Sequence, residues 1–251
     1  MLAPALTPLA ASLPETVPFV GPETLERRTG RIFRARLGAN ESSFGPAPSV
    51  IAAIAGAAPQ AWKYCDPDMF DLRAALASHC GVASDEVAIG EGIDGLLGLC
   101  VRLFAAPGDA VVSSIGAYPT LNYHIAGFGA VLHAVPYRDD REDLDGLRAA
   151  VRQTGARLVY LANPDNPMAS WWSAEAVTAF ADALPPQTLL LLDEAYGEFA
   201  PPGTLPSNDT SRPNLLRLRT FSKAYGLAGI RCGYAIGAAP LISAFDRVRN
   251  H

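Results

Sequence analysis

The stretch RLRTFSKAYGLAGIRCGY holds Lys223, one of only two lysines in a chain that uses arginine eighteen times. An arginine stays charged, whereas a lysine amine can be desolvated, lose its proton and attack a carbonyl. A solvated surface lysine is the ordinary alternative. Asp193 closes the apolar run TLLLLDEA, where a carboxylate is costly to desolvate and needs a partner. That partner is a helix end, a structural ion pair, or a bound cation such as a protonated heteroaromatic nitrogen. VAIGEGIDGLL passes from a strand through a glycine-bearing turn into a helix. Gly92 admits close approach there, and the free N–H groups of Ile93 and Asp94, together with the helix dipole, make an anion site unless the turn is a plain connection capped by Asp94. It matches neither a P-loop nor the GxGxxG fingerprint. Asn163 and Asn166 lie around two prolines in LANPDNPMAS and either shape a turn or donate to a ligand. Tyr118 and Tyr196 serve packing or stacking. The other lysine, Lys63, suggests no role.

These residues need a common edge. Apolar runs predict strands over 87–89, 110–114, 131–135, 158–162, 188–193, 215–221 and 232–236, separated by segments with helical spacing such as Leu96, Leu97, Cys100, Val101 and Phe104. Strands alternating with helices imply an α/β fold, a mainly parallel sheet of about seven strands with helices on both faces. The run TLLLLD suits a strand buried on both sides. Ligands of such sheets sit beyond the carboxyl ends of the strands. The residues named above follow strands: Gly90 to Asp94 the first, Tyr118 the second, Asn163 and Asn166 the fourth, Asp193 the fifth, Ser222 and Lys223 the sixth.

The 251 residues, 49% hydrophobic and 18% charged, fit a folded globular chain with a sizeable core. A net charge of -5 without a basic cluster gives no footprint for nucleic acid or anionic lipid, which favours a small-molecule partner. The four cysteines, Cys65, Cys80, Cys100 and Cys232, lack CxxC or metal-ligand spacing and read as free thiols, with no metal site. The proline-interrupted N-terminus lacks the basic start of a secretory signal, and no apolar run reaches membrane-spanning length, so a cytoplasmic location is expected.

Taken together, the lysine, the aspartate, the anion-binding turn and the aromatic rings suit a flat ligand with an anionic end, a basic ring nitrogen and an aldehyde. Pyridoxal phosphate answers that description. The ordered motifs RLGANESSFGPAPSVIAAI, KYCDPDMFDLRAAL, GEGIDGLL, AYPTLNY, NPDNP, LLDEAYGEF and TFSKAYGLAGIRCGY, spread over residues 17–251, resemble the fold-type I pyridoxal-phosphate aminotransferases, in particular the histidinol-phosphate aminotransferase-like branch. The resemblance implies that Lys223 binds the cofactor aldehyde and shuttles a proton, and that Asp193 keeps the ring nitrogen protonated. It further implies that Asn166 and Tyr196 donate to the phenolic oxygen and that Tyr118 stacks on the ring. Gly92, Ile93 and Asp94 with Thr220, Ser222 and Arg231 would hold the phosphate. Tyr64 would reach the phosphate of a partner subunit, implying a homodimer, and Asn40 would lie near the substrate carboxylate.

The chain departs from the family pattern in three places. Ile93 stands where relatives often have serine, leaving a backbone N–H but no hydroxyl and so one phosphate contact fewer; Phe19 stands where they often have tyrosine, which weakens the case for a phosphorylated substrate. The resemblance also implies a further C-terminal small domain, so the expected organisation is an N-terminal arm over 1–36 and a large cofactor-binding domain over 37–251. Leu241, Ile242, Phe245 and Val248 should then present an apolar face with nothing to cover it. The expected function is transfer of an amino group between an amino acid or histidinol-phosphate-like amine and a 2-oxo acid, within amino-acid biosynthesis. The alternatives are a decarboxylase of the threonine-phosphate decarboxylase type and a cofactor-binding but inactive fragment.

Overall fold

Five consecutive buried residues, Leu189–Asp193, form the centre of the sheet, and their burial on both faces dictates what surrounds them. The computed structural model describes residues 4–15 and 19–249. Residues 1–3 and 16–18 of the expected arm, and 250–251, lie outside the described residues. The strands are β1 Val87–Gly90, β2 Ala110–Ser114, β3 Val131–Val135, β4 Leu158–Ala162, β5 Leu189–Asp193, β6 Leu215–Thr220 and β7 Gly233–Gly237. The helices are α1 Pro8–Ser12, α2 Pro22–Thr29, α3 Pro48–Ala57, α4 Phe70–Cys80, α5 Gly92–Phe104, α6 Thr120–Phe128, α7 Leu144–Thr154, α8 Ala174–Asp182 and α9 Ala239–Ala244. Every expected strand is present, with ends within one residue of the sequence reading.

The sheet order is β1-β7-β6-β5-β4-β2-β3. β2, β3, β4, β5 and β6 pair in parallel, and β7 runs antiparallel to both β6 and β1. Two antiparallel steps bring β1 back into the direction of β6. Six strands therefore deliver their carboxyl ends to one edge, and β7 starts from that same edge.

Alternate residues of each strand enter different cores, as the two-residue period of a pleated strand requires. Leu158, Tyr160, Leu189, Leu191, Leu216 and Leu218 pack with Leu96, Leu97, Cys100 and Val101 of α5 and with Leu121 and Ile125 of α6. Val159, Leu161, Leu190 and Leu192 pack on the other side with Leu147 and Val151 of α7 and Val177 and Phe180 of α8. Each fully buried leucine or valine contributes about 1.5–3 kcal/mol. A third cluster joins Leu76, Ala77 and Cys80 of α4 to Val87, Ile89, Tyr234 and Ile236.

One expectation is corrected at the C-terminal end. Ile242 and Phe245 are 3% and 2% exposed and join the core formed by α5, with Leu241 packed against it. The apolar side of α9 is thus covered by the chain's own helix α5, because β7 runs antiparallel and delivers the chain to the opposite edge of the sheet, beside the last turns of α5. The N-terminal half differs: α3 has no buried residue, and Phe44, Trp62 and Tyr64 are almost wholly exposed.

Candidate active site

Lys223 lies in the turn that follows β6, closed by Gly226 N–H donating to the Lys223 carbonyl at 3.1 Å. Its Nζ donates to the Ala39 carbonyl at 3.2 Å and lies 5.7 Å from the centroid of the Tyr196 ring. Burial pushes this amine below the usual lysine range, against an opposing pull from Asp193. Burial thus works toward the neutral form that a nucleophile needs. Gly226 seats the 39–46 loop against this turn. Its φ is +67°, and a Cβ there would lie 2.5 Å from the Gly45 carbonyl.

Asp193 is buried at the end of β5. Its Oδ2 accepts from the Tyr160 hydroxyl at 2.7 Å and its Oδ1 from the Ala195 N–H at 2.9 Å. Burial pushes the carboxyl up to about 6, opposed by these two hydrogen bonds and by Lys223. Tyr160 was not legible as a site residue, because a tyrosine inside an apolar strand reads as core. The signal lies in the register: Tyr160 pairs with Leu191, so Asp193 is two residues on and on the same face. Behind Asp193, Glu194 is clamped by Arg217 at 2.6 Å and Arg219 at 2.9 Å, a buried ion network the sequence also concealed.

The Tyr196 hydroxyl accepts from Asn40 Nδ2 at 2.9 Å, joining residues 156 positions apart. The two asparagines of NPDNP separate in role. Asn163 is wholly buried, donating to the Trp172 and Thr204 carbonyls at 3.1 Å each and accepting from the Trp172 N–H at 2.8 Å, so it fixes the loop. Asn166 is half-buried at the loop's open side, and Tyr118 is 46% exposed beyond β2.

The strand-to-helix turn places Gly92, Ile93 and Asp94 in the first turn of α5. Ile93 buries its side chain in the core, leaving its N–H as the contribution to the turn. Asp94 is held below the usual carboxylate range by a 2.8 Å hydrogen bond to His124, another residue the sequence reading did not single out. Arg231 arrives from the loop preceding β7. Its guanidinium donates to the Glu91 carbonyl at 3.3 Å, the Ala228 carbonyl at 3.1 Å and Ser222 Oγ at 3.4 Å. A Cβ on Gly92 would come within 2.6 Å of Arg231 Nη2, so glycine is what allows the guanidinium to lie against the helix start. Thr220 Oγ1 accepts from the Ser222 N–H at 3.1 Å and donates to Ser222 Oγ at 2.9 Å, bracing that side chain.

One edge thus gathers a desolvated amine, a buried carboxylate and a cationic cradle at a helix N-terminus. Such a set fits a planar ligand carrying a phosphate, a protonated ring nitrogen and an electrophilic carbon. Tyr64 stands apart, fully exposed, and Phe19 is exposed as well.

A seven-stranded mixed sheet bearing this lysine, aspartate and arginine at its carboxyl edge has the architecture of the fold-type I pyridoxal-phosphate enzymes. The chain belongs to the aminotransferase class I and II family, which it matches over residues 35–251. It is 41% identical over 218 residues to an aromatic amino acid aminotransferase of Mycolicibacterium paratuberculosis, covering 85% of this chain and 61% of the relative. It is 38% identical over 250 residues to a histidinol-phosphate aminotransferase of Anaeromyxobacter sp., covering 98% and 68%. The crystal structure of histidinol-phosphate aminotransferase from Sinorhizobium meliloti in complex with pyridoxal-5'-phosphate superposes with a TM-score of 0.95 at 60% identity, covering 98% of this chain and 66% of that one. The chain spans roughly two thirds of the length of these relatives.

Proposed function

We propose that this chain is the cofactor-carrying part of a pyridoxal-phosphate-dependent aminotransferase acting between an amino acid or histidinol-phosphate-like amine and a 2-oxo acid. The observation that carries the reading is the convergence of the half-buried Lys223 amine, the buried Asp193 carboxylate and Arg231 lying against Gly92. When bound, pyridoxal phosphate supplies an electron sink that stabilises negative charge at the substrate α-carbon. Lys223 Nζ is the amine that would hold the cofactor and, as a free base, would take up and return the α-proton, tasks that need a neutral amine for part of the cycle. Asp193 would hold the proton on the ring nitrogen, and Tyr160 and Ala195 hold Asp193.

Asn166 and Tyr196 would serve the phenolic oxygen, Tyr118 would stack on the ring, and Asn40, which donates to the Tyr196 hydroxyl, would stand near the substrate carboxylate. The amides of Gly92, Ile93 and Asp94, with Ser222 and Arg231, would hold the phosphate, and Thr220, hydrogen-bonded to Ser222, would act through it. All three relatives described above carry aminotransferase names, which supports transamination over decarboxylation.

The assay is absorbance of the chain with pyridoxal phosphate before and after borohydride, wild type against Lys223→Ala. A lysine-linked band that borohydride fixes in wild type alone is expected. No adduct at position 223 in the wild type sinks the proposal.

Residues 1–36 are read as an arm and 37–251 as the large domain, supported by the family match beginning at 35. A homodimer with Tyr64 crossing to the partner is supported by the uncovered apolar α3 and the exposed Phe44, Trp62 and Tyr64. A monomeric mass in sedimentation at micromolar concentration would remove it. Among the described residues no helix is long and apolar enough to cross a membrane. All four cysteines are free, which supports a cytoplasmic location. Growth-dependent fractionation that leaves the protein outside the cytoplasm would refute it.

A further inference from the structure

Asp193 is not the only buried acid at this edge of the sheet. Glu142, just before the Asp143 cap of α7, is 1% exposed, and its Oε2 accepts from the Ala162 N–H at 2.9 Å. Ala162 is the register partner of Asp193. The other oxygen of Glu142, Oε1, is buried without a hydrogen-bond partner among the described residues. Asp165 is 4% exposed; its Oδ2 accepts from the Tyr137 hydroxyl at 2.9 Å and the Met168 N–H at 3.4 Å, while its Oδ1 is likewise buried and unpartnered. The buried Ser114 hydroxyl at the end of β2 lies within reach of the Glu142 carboxyl, yet Ser114 Oγ and Glu142 Oε1 complete no hydrogen bond of normal geometry.

Neighbouring cations are engaged elsewhere. Arg138 pairs with Asp143 at 3.1 Å, and Arg141 lies over the Trp172 ring at 5.4 Å. Two adjacent buried carboxylates without a cation do not both stay ionised. An ionised Glu142 leaves Oε1 uncompensated, whereas a protonated one turns that atom into a donor among acceptors that lack one.

We propose that Glu142 is held as a neutral carboxylic acid and is a positioning residue, its proton completing the Ser114, Glu142 and Asp165 cluster that seats the 163–170 loop beside the end of β5. The positioning role rests on the reading of Asn166 and Asp193 as cofactor contacts. Burial raises the Glu142 carboxyl to about 8, followed by the charge of Asp165, with Asp193 adding to the rise. The other groups facing the cluster, Tyr137 after β3 and Tyr160 in β4, are themselves pushed upward and stay neutral. The folded chain thus keeps a proton that the unfolded chain releases near 4.5. Stability falls as pH rises between those two values and levels off above the higher one.

The test is urea unfolding of the cofactor-free chain from about pH 5 to 9, comparing wild type, Glu142→Gln and Glu142→Ala. Wild type is expected to lose up to about tenfold in folding equilibrium constant per pH unit relative to Glu142→Gln, which keeps the neutral shape and lacks the proton. Glu142→Ala should be weaker at every pH. Parallel curves for wild type and Glu142→Gln overturn the proposal. Should Glu142→Gln fail to fold, infrared spectra of wild type labelled at its glutamates decide. A neutral carboxyl stretch present in weak acid and lost in weak base supports the assignment, and its absence refutes it. For the positioning role, the cofactor-loaded chain should lose its lysine-linked absorbance above the Glu142 transition in wild type and keep it in Glu142→Gln. An alkaline loss identical in both overturns that role. The cofactor-free arm stands apart from the borohydride experiment, so the two readings fail separately.

Discussion

Gly226→Ala is the substitution for which the structure gives the sharpest expectation. A Cβ at this position would lie 2.5 Å from both the carbonyl carbon and oxygen of Gly45 and 2.9 Å from the Pro46 nitrogen, all backbone atoms that no rotamer change can move aside. The backbone φ of +67° adds a second cost, about 1–2 kcal/mol for a residue with a Cβ in the left-handed region. Overpacking against fixed atoms contributes about 1–3 kcal/mol more. If the 39–46 loop holds, the loss is roughly 2–5 kcal/mol, or about 0.7–1.7 M in the urea midpoint for an m-value near 3 kcal/mol/M. If the loop yields instead, the Lys223 bond to Ala39 and the Asn40 bond to Tyr196 part, and cofactor affinity falls while the midpoint moves less. Gly229→Ala is the control, since a Cβ there meets nothing within 4 Å and needs no unusual φ. Urea melts and pyridoxal-phosphate titrations of both variants measure the two quantities. A Gly226→Ala chain matching Gly229→Ala in midpoint and affinity would refute the reasoning.

Two further substitutions probe the support beneath Asp193. Tyr160→Phe removes the 2.7 Å hydrogen bond to Oδ2 and with it an influence that holds the carboxyl down. A hydrogen bond to a charged group is worth about 1.5–3 kcal/mol, so cofactor affinity at neutral pH should fall about ten- to a hundredfold. An unchanged titration curve would show that Tyr160 only packs. Arg217→Met leaves Glu194, wholly buried, with Arg219 as its one remaining cation among the described residues. Breaking a buried pair costs about 3–5 kcal/mol, readable as a lowered urea midpoint, and wild-type stability in that variant would show that Arg219 suffices.

The strands and their order along the chain were legible because apolar runs of four to six residues admit few other readings in a sheet covered on both faces. The polar residues near their ends were legible for the same reason: Asp193 closes one such run, and Asn166, Ser222 and Lys223 come within a few residues of the end of another. Asn163 shows the limit of that signal. It shares motif and residue type with Asn166, yet its amide is spent on Trp172 and Thr204, which are near only after folding. The apolar side of α9 shows a different limit, since the sequence gives its pattern but not its partner, and α5 covers it.

By itself the sequence determined the α/β class and put the lysine, the aspartate and the glycine turn at the carboxyl ends of the strands, the edge that ligands of such sheets favour. These depend on local periodicity and on the residues adjoining it, which a chain carries before it folds. Only the tertiary structure decided that Arg231, which precedes a strand rather than following one, reaches the cradle, because β7 alone starts from that edge. It likewise decided that Tyr160 holds Asp193, that Ala39 and Asn40 meet Lys223 and Tyr196 across most of the chain, and that Glu142 and Asp165 share a buried space. Each of these depends on strand register or on closure of a long loop, and neither is written in the spacing of neighbouring residues.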